Sequence, residues 1–243
     1  MFNIFRKSKP KLSEIIPNGF IDIHSHVLPG VDDGPKNIAD SIDLIDSIVE
    51  IGFEKIITTP HTYPGLYDNT NYTLKNSYDK LIKEKKNGIK IDYASEYMID
   101  QSLKYKAEER SLLTIKDSYV LIEMNFIAPP PMLYDVIFNL IVNNYIPILA
   151  HPERYRFLHN DFDQYKKLKD HGCKFQLNLL STVGFYGKDI TLITDKLLKN
   201  NLIDYVGSDI HSINHVKSLK NTVRIKQLKE LQISIQANSF FLD

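Results

Sequence analysis

Histidines and carboxylates recur along this chain in short runs whose spacing suits metal chemistry. Asp22-Ile-His24-Ser-His26 places two imidazoles at i and i+2, so on an extended segment both reach one side and one cation. Thr58-Thr-Pro-His61, Glu96, Leu121-Ile-Glu123, Ala150-His151-Pro-Glu-Arg154 and Ser208-Asp209-Ile-His211 follow in order. Imidazole plus carboxylate without thiolate suits Mn²⁺, Fe²⁺ or Zn²⁺ rather than Ca²⁺ or an iron–sulfur cluster. The donors outnumber what one ion takes, which implies two or three ions and a bridging carboxylate. Any one run has an ordinary reading: His-x-His on a surface strand, Glu123 as a strand-ending charge, Asp209 as a helix cap. For the whole set that reading requires unrelated residues to gather at one end of the fold.

That end is defined by the elements between the runs. Strand patterns cover Phe20–His24, Lys55–Thr59, Ile89–Ser95, Tyr119–Met124, Ile146–Ala150, Lys174–Leu177 and Asp204–Gly207. Helical patterns lie between them over Asn37–Ile51, Tyr72–Lys86, Met132–Asn144, Phe162–His171, Asp189–Asn200 and Asn214–Leu231. Strands alternating with helices imply parallel βαβ units and an α/β fold. Seven strands fit a distorted parallel barrel better than an open sheet. In such folds the site lies at the carboxyl ends of the strands, where six of these seven strands place a histidine or carboxylate.

Composition narrows the function classes. The 243 residues carry 30 basic and 30 acidic side chains, which argues against a nucleic-acid binder and its basic field. A single cysteine, Cys173, excludes an intrachain disulfide framework. It has Leu179 rather than arginine six residues on, so a cysteine phosphatase is set aside, and no P-loop string occurs. No run approaches the roughly 20 apolar residues of a membrane helix, and the cytoplasm is the expected compartment. Residues 1–19 read as a basic N-terminal extension carrying Arg6, Lys7, Lys9 and Lys11, ahead of one domain over 20–243. That head offers a peripheral contact to an anionic membrane, although such a short charged run is more often a solvated terminus.

The strings HSHVLPGVDDG from His24 to Gly34, Thr59-Pro-His61, AHPERY from Ala150 to Tyr155 and Ser208-Asp-Ile-His211 resemble the polymerase-and-histidinol-phosphatase (PHP) superfamily. Within it they are similar to the bacterial metal-dependent protein-tyrosine phosphatases of capsule and exopolysaccharide operons, as is Gln176-Leu-Asn-Leu-Leu-Ser-Thr-Val-Gly184. The resemblance implies a seven-stranded barrel and a trinuclear centre, usually manganese-responsive. By motif, one ion takes His24, His26, Glu96 and Asp209; a second shares Glu96 and adds Glu123 and His151. A third takes Asp33, His61 and His211, with Asp32 as the adjacent alternative to Asp33. Arg154 matches the phosphate-binding arginine and, with Asp33 and His211, makes the implied catalytic set. Relatives commonly carry a second arginine after Asp-x-His; here Ser212-Ile-Asn-His-Val-Lys217 leaves Lys217, or a protonated His215, to take the phosphate.

The implied reaction is phosphotyrosine hydrolysis by metal-activated hydroxide without a phosphoenzyme, on a bacterial tyrosine kinase with a tyrosine-rich tail. Two alternatives are a PHP-type phosphatase for a small monoester such as histidinol phosphate, and a non-catalytic metal-binding scaffold. The scaffold reading predicts lost ligands or a lost Arg154, and the sequence keeps them. Tyr63, Tyr67, Tyr97, Phe126, Tyr155 and Phe185 are candidate walls for a phenyl ring, and Ala128-Pro-Pro-Pro131 reads as a stiff rim or connector.

Overall fold

A computed structural model describes residues 8–243. Arg6 and Lys7 of the basic head lie outside the described residues. Two parallel sheets carry nine strands. The three-stranded sheet has the order β1 (Phe20–Asp22), β2 (Phe53–Thr58), β4 (Lys90–Tyr93). The six-stranded sheet runs β3 (His61–Thr62), β5 (Glu96–Met98), β6 (Tyr119–Glu123), β7 (Ile146–Ala150), β8 (Lys174–Asn178), β9 (Tyr205–Gly207). Eight α-helices are present among the described residues: α1 (Ile38–Val49), α2 (Asn71–Glu84), α3 (Gln101–Glu108), α4 (Leu133–Val142), α5 (Asp163–Asp170), α6 (Lys188–Lys199), α7 (Ile213–Leu219) and α8 (Leu228–Ala237).

The α/β class agrees with the sequence, but a closed seven-stranded barrel does not appear: the ladder falls into two sheets that do not close. The division has a local cause. Pro60 has no N–H to donate, so the chain leaves β2 at Thr58 and re-enters a ladder only at His61. The neighbouring strand breaks at the same level, between Tyr93 and Glu96. Single backbone bonds, Ala94 N–H to Thr58 O at 2.8 Å and Glu96 N–H to Pro60 O at 3.1 Å, carry the pairing across the break. At the other seam β1 and β9 are linked by a Ser25–Ile210 bridge and by Asn238. The Asn238 amide donates to Ile21 O at 2.9 Å and Val206 O at 2.8 Å, and its oxygen accepts from Val206 N–H at 3.1 Å.

Side-chain alternation sorts the strand residues into two cores. Ile21, Ile57, Leu121, Ile148 and Ala150 pack inward with Phe241 from the C-terminal turn. Phe20, Ile56, Ile122 and Leu149 face the helices in the larger cluster, which also takes Leu12 and Ile16 from the N-terminal segment. The expected Asn214–Leu231 helix is two helices: the intervening chain is held open by a Lys11–Thr222 bridge and by Arg224 N–H donating to Thr182 O at 2.8 Å. Cys173 is buried core, as expected, and burial pushes its thiol up to about 12.

Candidate metal centre

Strand register brings the polar runs together. Leu121 in the inner core fixes Glu123 on the same face two residues on, at the carboxyl end of β6. β5 starts with Glu96, paired with His61 of β3. His24 and His26 follow β1, His151 follows β7 and Asp209 follows β9. His151 and Asp209 adopt the left-handed conformation, at φ 36° and 51°, which non-glycine residues reach only at a cost of about 1–3 kcal/mol. Glycines make room at two positions. A Cβ on Gly207 would stand 2.6 Å from the His24 Cβ, and one on Gly34 would stand 2.3 Å from His26 O.

Fully buried Glu96 is the hub of the cluster. Its Oε2 lies 3.2 Å from His24 Nε2, 3.5 Å from His26 Nε2 and 3.1 Å from His61 Nδ1; its Oε1 lies 3.1 Å from His151 Nε2. Glu123 Oε1 stands 2.8 Å from His61 Nδ1. Asp209 Oδ1 is within 3.3 Å of His24 Nε2 and 3.4 Å of His26 Nε2. Asp33 Oδ1 is 3.2 Å from His211 Nε2 and 3.6 Å from His61 Nε2. All nine expected ligands are therefore contiguous. Their donor atoms fall into four overlapping groups: His26, Asp33, His61 and His211; His24, His151 and Asp209; His24, His26 and Glu96; His61, Glu96 and Glu123.

Cations fit this donor set. His24 Nδ1 meets Gln176 Oε1 at 2.7 Å and His26 Nδ1 meets Asp32 Oδ2 at 2.7 Å. Each acceptor fixes the proton on Nδ1, so in the neutral rings both Nε2 lone pairs face one another across 3.3 Å. Glu96 Oε2 and His61 Nδ1 are buried with no well-aligned hydrogen bond, the condition of atoms waiting for an ion.

Without ions, protons must serve. Burial opposes charge on His24, yet Glu96 and Asp209 outweigh it and raise its pKa; His26 is raised further by Asp32. His61 is held at about 11, its burial overcome chiefly by Glu96. Glu96 and Asp209 lie well below the usual carboxylate range despite their burial, because the imidazoliums face them. His151 moves the other way, to about 4, through burial and then the Arg154 charge.

The cluster opens onto a cavity of about 350 Å³ that Arg154 also lines. The guanidinium lies 4.7 Å from the Phe126 ring centre and 4.4 Å from that of Tyr186, and its Nη1 donates to Asp209 Oδ2 at 2.6 Å. His215 lines the cavity too; Lys217, on α7, is exposed and outside its wall. Asp33, not Asp32, faces the cavity. Asp32 is buried beneath, where it also accepts from Gly34 N–H at 2.9 Å and His61 N–H at 3.2 Å.

The family described as "Capsular polysaccharide synthesis, CpsB/CapC" matches residues 20–238. The chain belongs to the CpsB/CapC family. Among its CpsB/CapC relatives, the tyrosine-protein phosphatase YwqE of Bacillus subtilis is 34% identical over 200 residues, 79% of this chain and 78% of YwqE. The putative tyrosine-protein phosphatase CapC of Staphylococcus aureus is 30% identical over 218 residues, 86% of both chains. A solved structure described with YwqE and Streptococcus pneumoniae CpsB as "unique metal-dependent tyrosine phosphatases" superposes with a TM-score of 0.75 and 30% identity. It covers 92% of this chain and 88% of that one. A Lactococcus lactis histidinol phosphate phosphatase shares the fold alone, with a TM-score of 0.50 at 13% identity, over 90% of this chain and 93% of that one.

The supports of this CpsB/CapC centre were not assigned from sequence. Gln176 and Asn178 alternate on one face of β8: Gln176 holds His24, and Asn178 Nδ2 donates to Asp209 Oδ2 at 2.8 Å and to the Tyr186 hydroxyl at 3.0 Å. Both sit in the Gln176–Gly184 string quoted above, and two amides at i, i+2 ending a strand were the available signal. Buried Glu153 accepts from Asn178 N–H at 3.0 Å and Ser181 Oγ at 2.7 Å, and burial lifts its pKa to about 7. Of the candidate aromatics, Tyr97 and Tyr155 are buried packing residues, whereas Tyr186 was overlooked. Asp32→Asn is expected to weaken divalent-metal binding by about 10–100-fold in calorimetric titration, since it replaces the anion that accepts the His26 Nδ1–H with a neutral amide. Wild-type affinity in that variant would show that Asp32 does not orient the ring.

Proposed function

We propose that this chain is a metal-dependent tyrosine-protein phosphatase that hydrolyses phosphotyrosine on a bacterial tyrosine kinase controlling capsule synthesis. One observation carries the reading: nine histidine and carboxylate donors gathered around Glu96 adjoin a single cavity that also exposes an arginine held by two aromatic rings and Asp209. His24, His26, Glu96 and Asp209 would hold one ion, Glu96, Glu123 and His151 a second, and Asp33, His61 and His211 a third. Manganese is the ion proposed, and the same donors accept Fe²⁺ or Zn²⁺. Such ions, when bound, supply Lewis acidity that lowers the pKa of water from about 15.7 toward about 7 and neutralise phosphoryl charge.

The chain's own residues supply the rest. Arg154 presents a planar fork for two phosphoryl oxygens. His215, from the cavity wall, is better placed than Lys217 for a second contact. A tyrosine phenolate, with a pKa near 10, leaves more readily than an alkoxide. Asp33 and His211, 3.2 Å apart on the cavity wall, join Arg154 in the proposed catalytic set through the third ion that they would hold. No described helix is long and apolar enough to cross a membrane, and the cytoplasm, where such a kinase presents its tail, is the compartment proposed.

The test is turnover by chelator-stripped protein with and without added Mn²⁺, on a phosphotyrosine peptide, a phosphoserine peptide and histidinol phosphate. Metal-dependent turnover selective for phosphotyrosine is the expected result. Preference for histidinol phosphate would move the substrate, and stoichiometric metal binding with no turnover would leave a scaffold.

A further inference from the structure

We propose that the apolar groove beside the metal cavity binds the side chain of an apolar residue flanking the phosphotyrosine, giving this enzyme a peptide-sequence preference. The inference rests on the phosphatase reading above. The groove holds about 350 Å³ and shares Asp33, His61, Glu123 and Phe126 with the metal cavity, so the two form one continuous depression. Among the described residues its wall beyond those shared ones has no charged side chain, and Leu66, Tyr67, Met98 and Ile127 are part of it.

Hydrocarbon here is exposed and held in place. Ile127 is 90% exposed and Leu66 is 61% exposed, on opposite turns. The Leu66 turn is closed by Tyr63 N–H to Tyr67 O at 3.0 Å and Tyr67 N–H to Tyr63 O at 2.8 Å, with Gly65 at φ +81°. The Tyr67 ring stacks on His61 at 5.4 Å, which ties that turn to the metal centre. On the other side Asn125 Oδ1 accepts from Ile127 N–H at 2.9 Å and Ala128 N–H at 3.1 Å, ahead of three stiff prolines. Hydrogen bonds to the backbone fix both turns and so place both side chains beside the groove.

Reach selects the occupant. With the phosphoryl group against Arg154 and the cluster, the tyrosine backbone lies at the rim, and the next Cα is about 3.8 Å further along. A flanking side chain therefore falls over the groove. An apolar one removes Ile127 and Leu66 from water, whereas an acidic one would be desolvated against hydrocarbon with no cationic side chain among the groove's unshared residues.

The experiment uses metal-loaded full-length protein and phosphotyrosine peptides in a Gly/Ser background, with leucine or aspartate at the position before or after the phosphotyrosine. Phenyl phosphate is the comparator that has a ring and no flanking residue. At one of the two positions leucine is expected to exceed aspartate by about tenfold in kcat/KM, through KM. In Ile127→Ser and Leu66→Ser that ratio falls to about twofold. No leucine–aspartate difference in the wild type overturns the proposal. An equal loss on phenyl phosphate also overturns it, because the groove would then hold the tyrosine ring itself. Fluorescence-anisotropy binding of the same peptides carrying a non-hydrolysable phosphonate repeats the series without turnover. A protein that binds with the leucine preference but does not hydrolyse would uphold the groove and refute the phosphatase reading; one that hydrolyses without preference would do the reverse.

Discussion

Glu96→Gln removes metal-dependent turnover by about 10³-fold or more, and lowers bound metal per chain. Glutamine keeps the volume, so the packing around the site has no reason to change. What disappears is the anion that two of the four donor groups share and that four imidazoles face within 3.1–3.5 Å. A neutral amide also turns an N–H₂ toward those rings. Metal content by mass spectrometry and kcat on a phosphotyrosine peptide measure the two effects. A variant that keeps full metal content and a tenth or more of the activity would show that Glu96 is not the hub.

The same substitution changes how the metal-free protein responds to pH. His61, held at about 11 against an ordinary 6.5, binds its proton more tightly folded than unfolded. Its contribution to stability is therefore complete below pH 6.5 and is lost as pH rises toward 11. Glu96 is the chief cause of that elevation, so the metal-free variant should show a flatter fall in melting temperature over this range than the metal-free wild type. Because His24, His26 and His61 are all raised, loading the ions must release protons, and apparent metal affinity in the wild type should climb with pH.

The convergence of the candidate ligands was legible from the sequence because the fold leaves strand-end residues few places to go. Once parallel βαβ units are read from periodicity, His24, His26, Glu123, His151 and Asp209 must converge at the carboxyl ends, whatever the barrel's exact closure. Strand continuity was not legible. The strand patterns end at Thr59 and Ser95, and β3 (His61–Thr62) and β5 (Glu96–Met98) beyond them are too short for an alternation to show. Helix α3 was missed because Gln101–Glu108 offers only Leu103 and Ala107 to the core, too few for a visible stripe, although the Asp100 carboxylate caps it. Groups that steady the ligands were hidden for another reason. Gln176 and Asn178 are neutral amides, so only their i, i+2 spacing at the end of a strand hints at a support, and their type alone fits a turn residue as well.

Arg154→Ala is expected to lower kcat by about 10²–10³-fold while leaving metal content near that of the wild type. The guanidinium lines the cavity beside the candidate ligands, and among the described residues its one hydrogen bond to them is to Asp209 Oδ2. Asn178 keeps a second hydrogen bond on that same oxygen, so Asp209 stays oriented when the arginine is gone. Arg154→Lys should recover little. An ammonium at that position lacks the flat face that Phe126 and Tyr186 enclose, and it cannot donate to Asp209 and to two phosphoryl oxygens at fixed angles. The readouts are kcat, KM and the inhibition constant for inorganic phosphate, with metal content measured in parallel. Loss of activity together with loss of metal would make Arg154 a support of Asp209. Loss of activity and weakened phosphate inhibition at full metal content would make it the group that grips the phosphoryl oxygens, and full activity in the lysine variant would make its planar fork unnecessary.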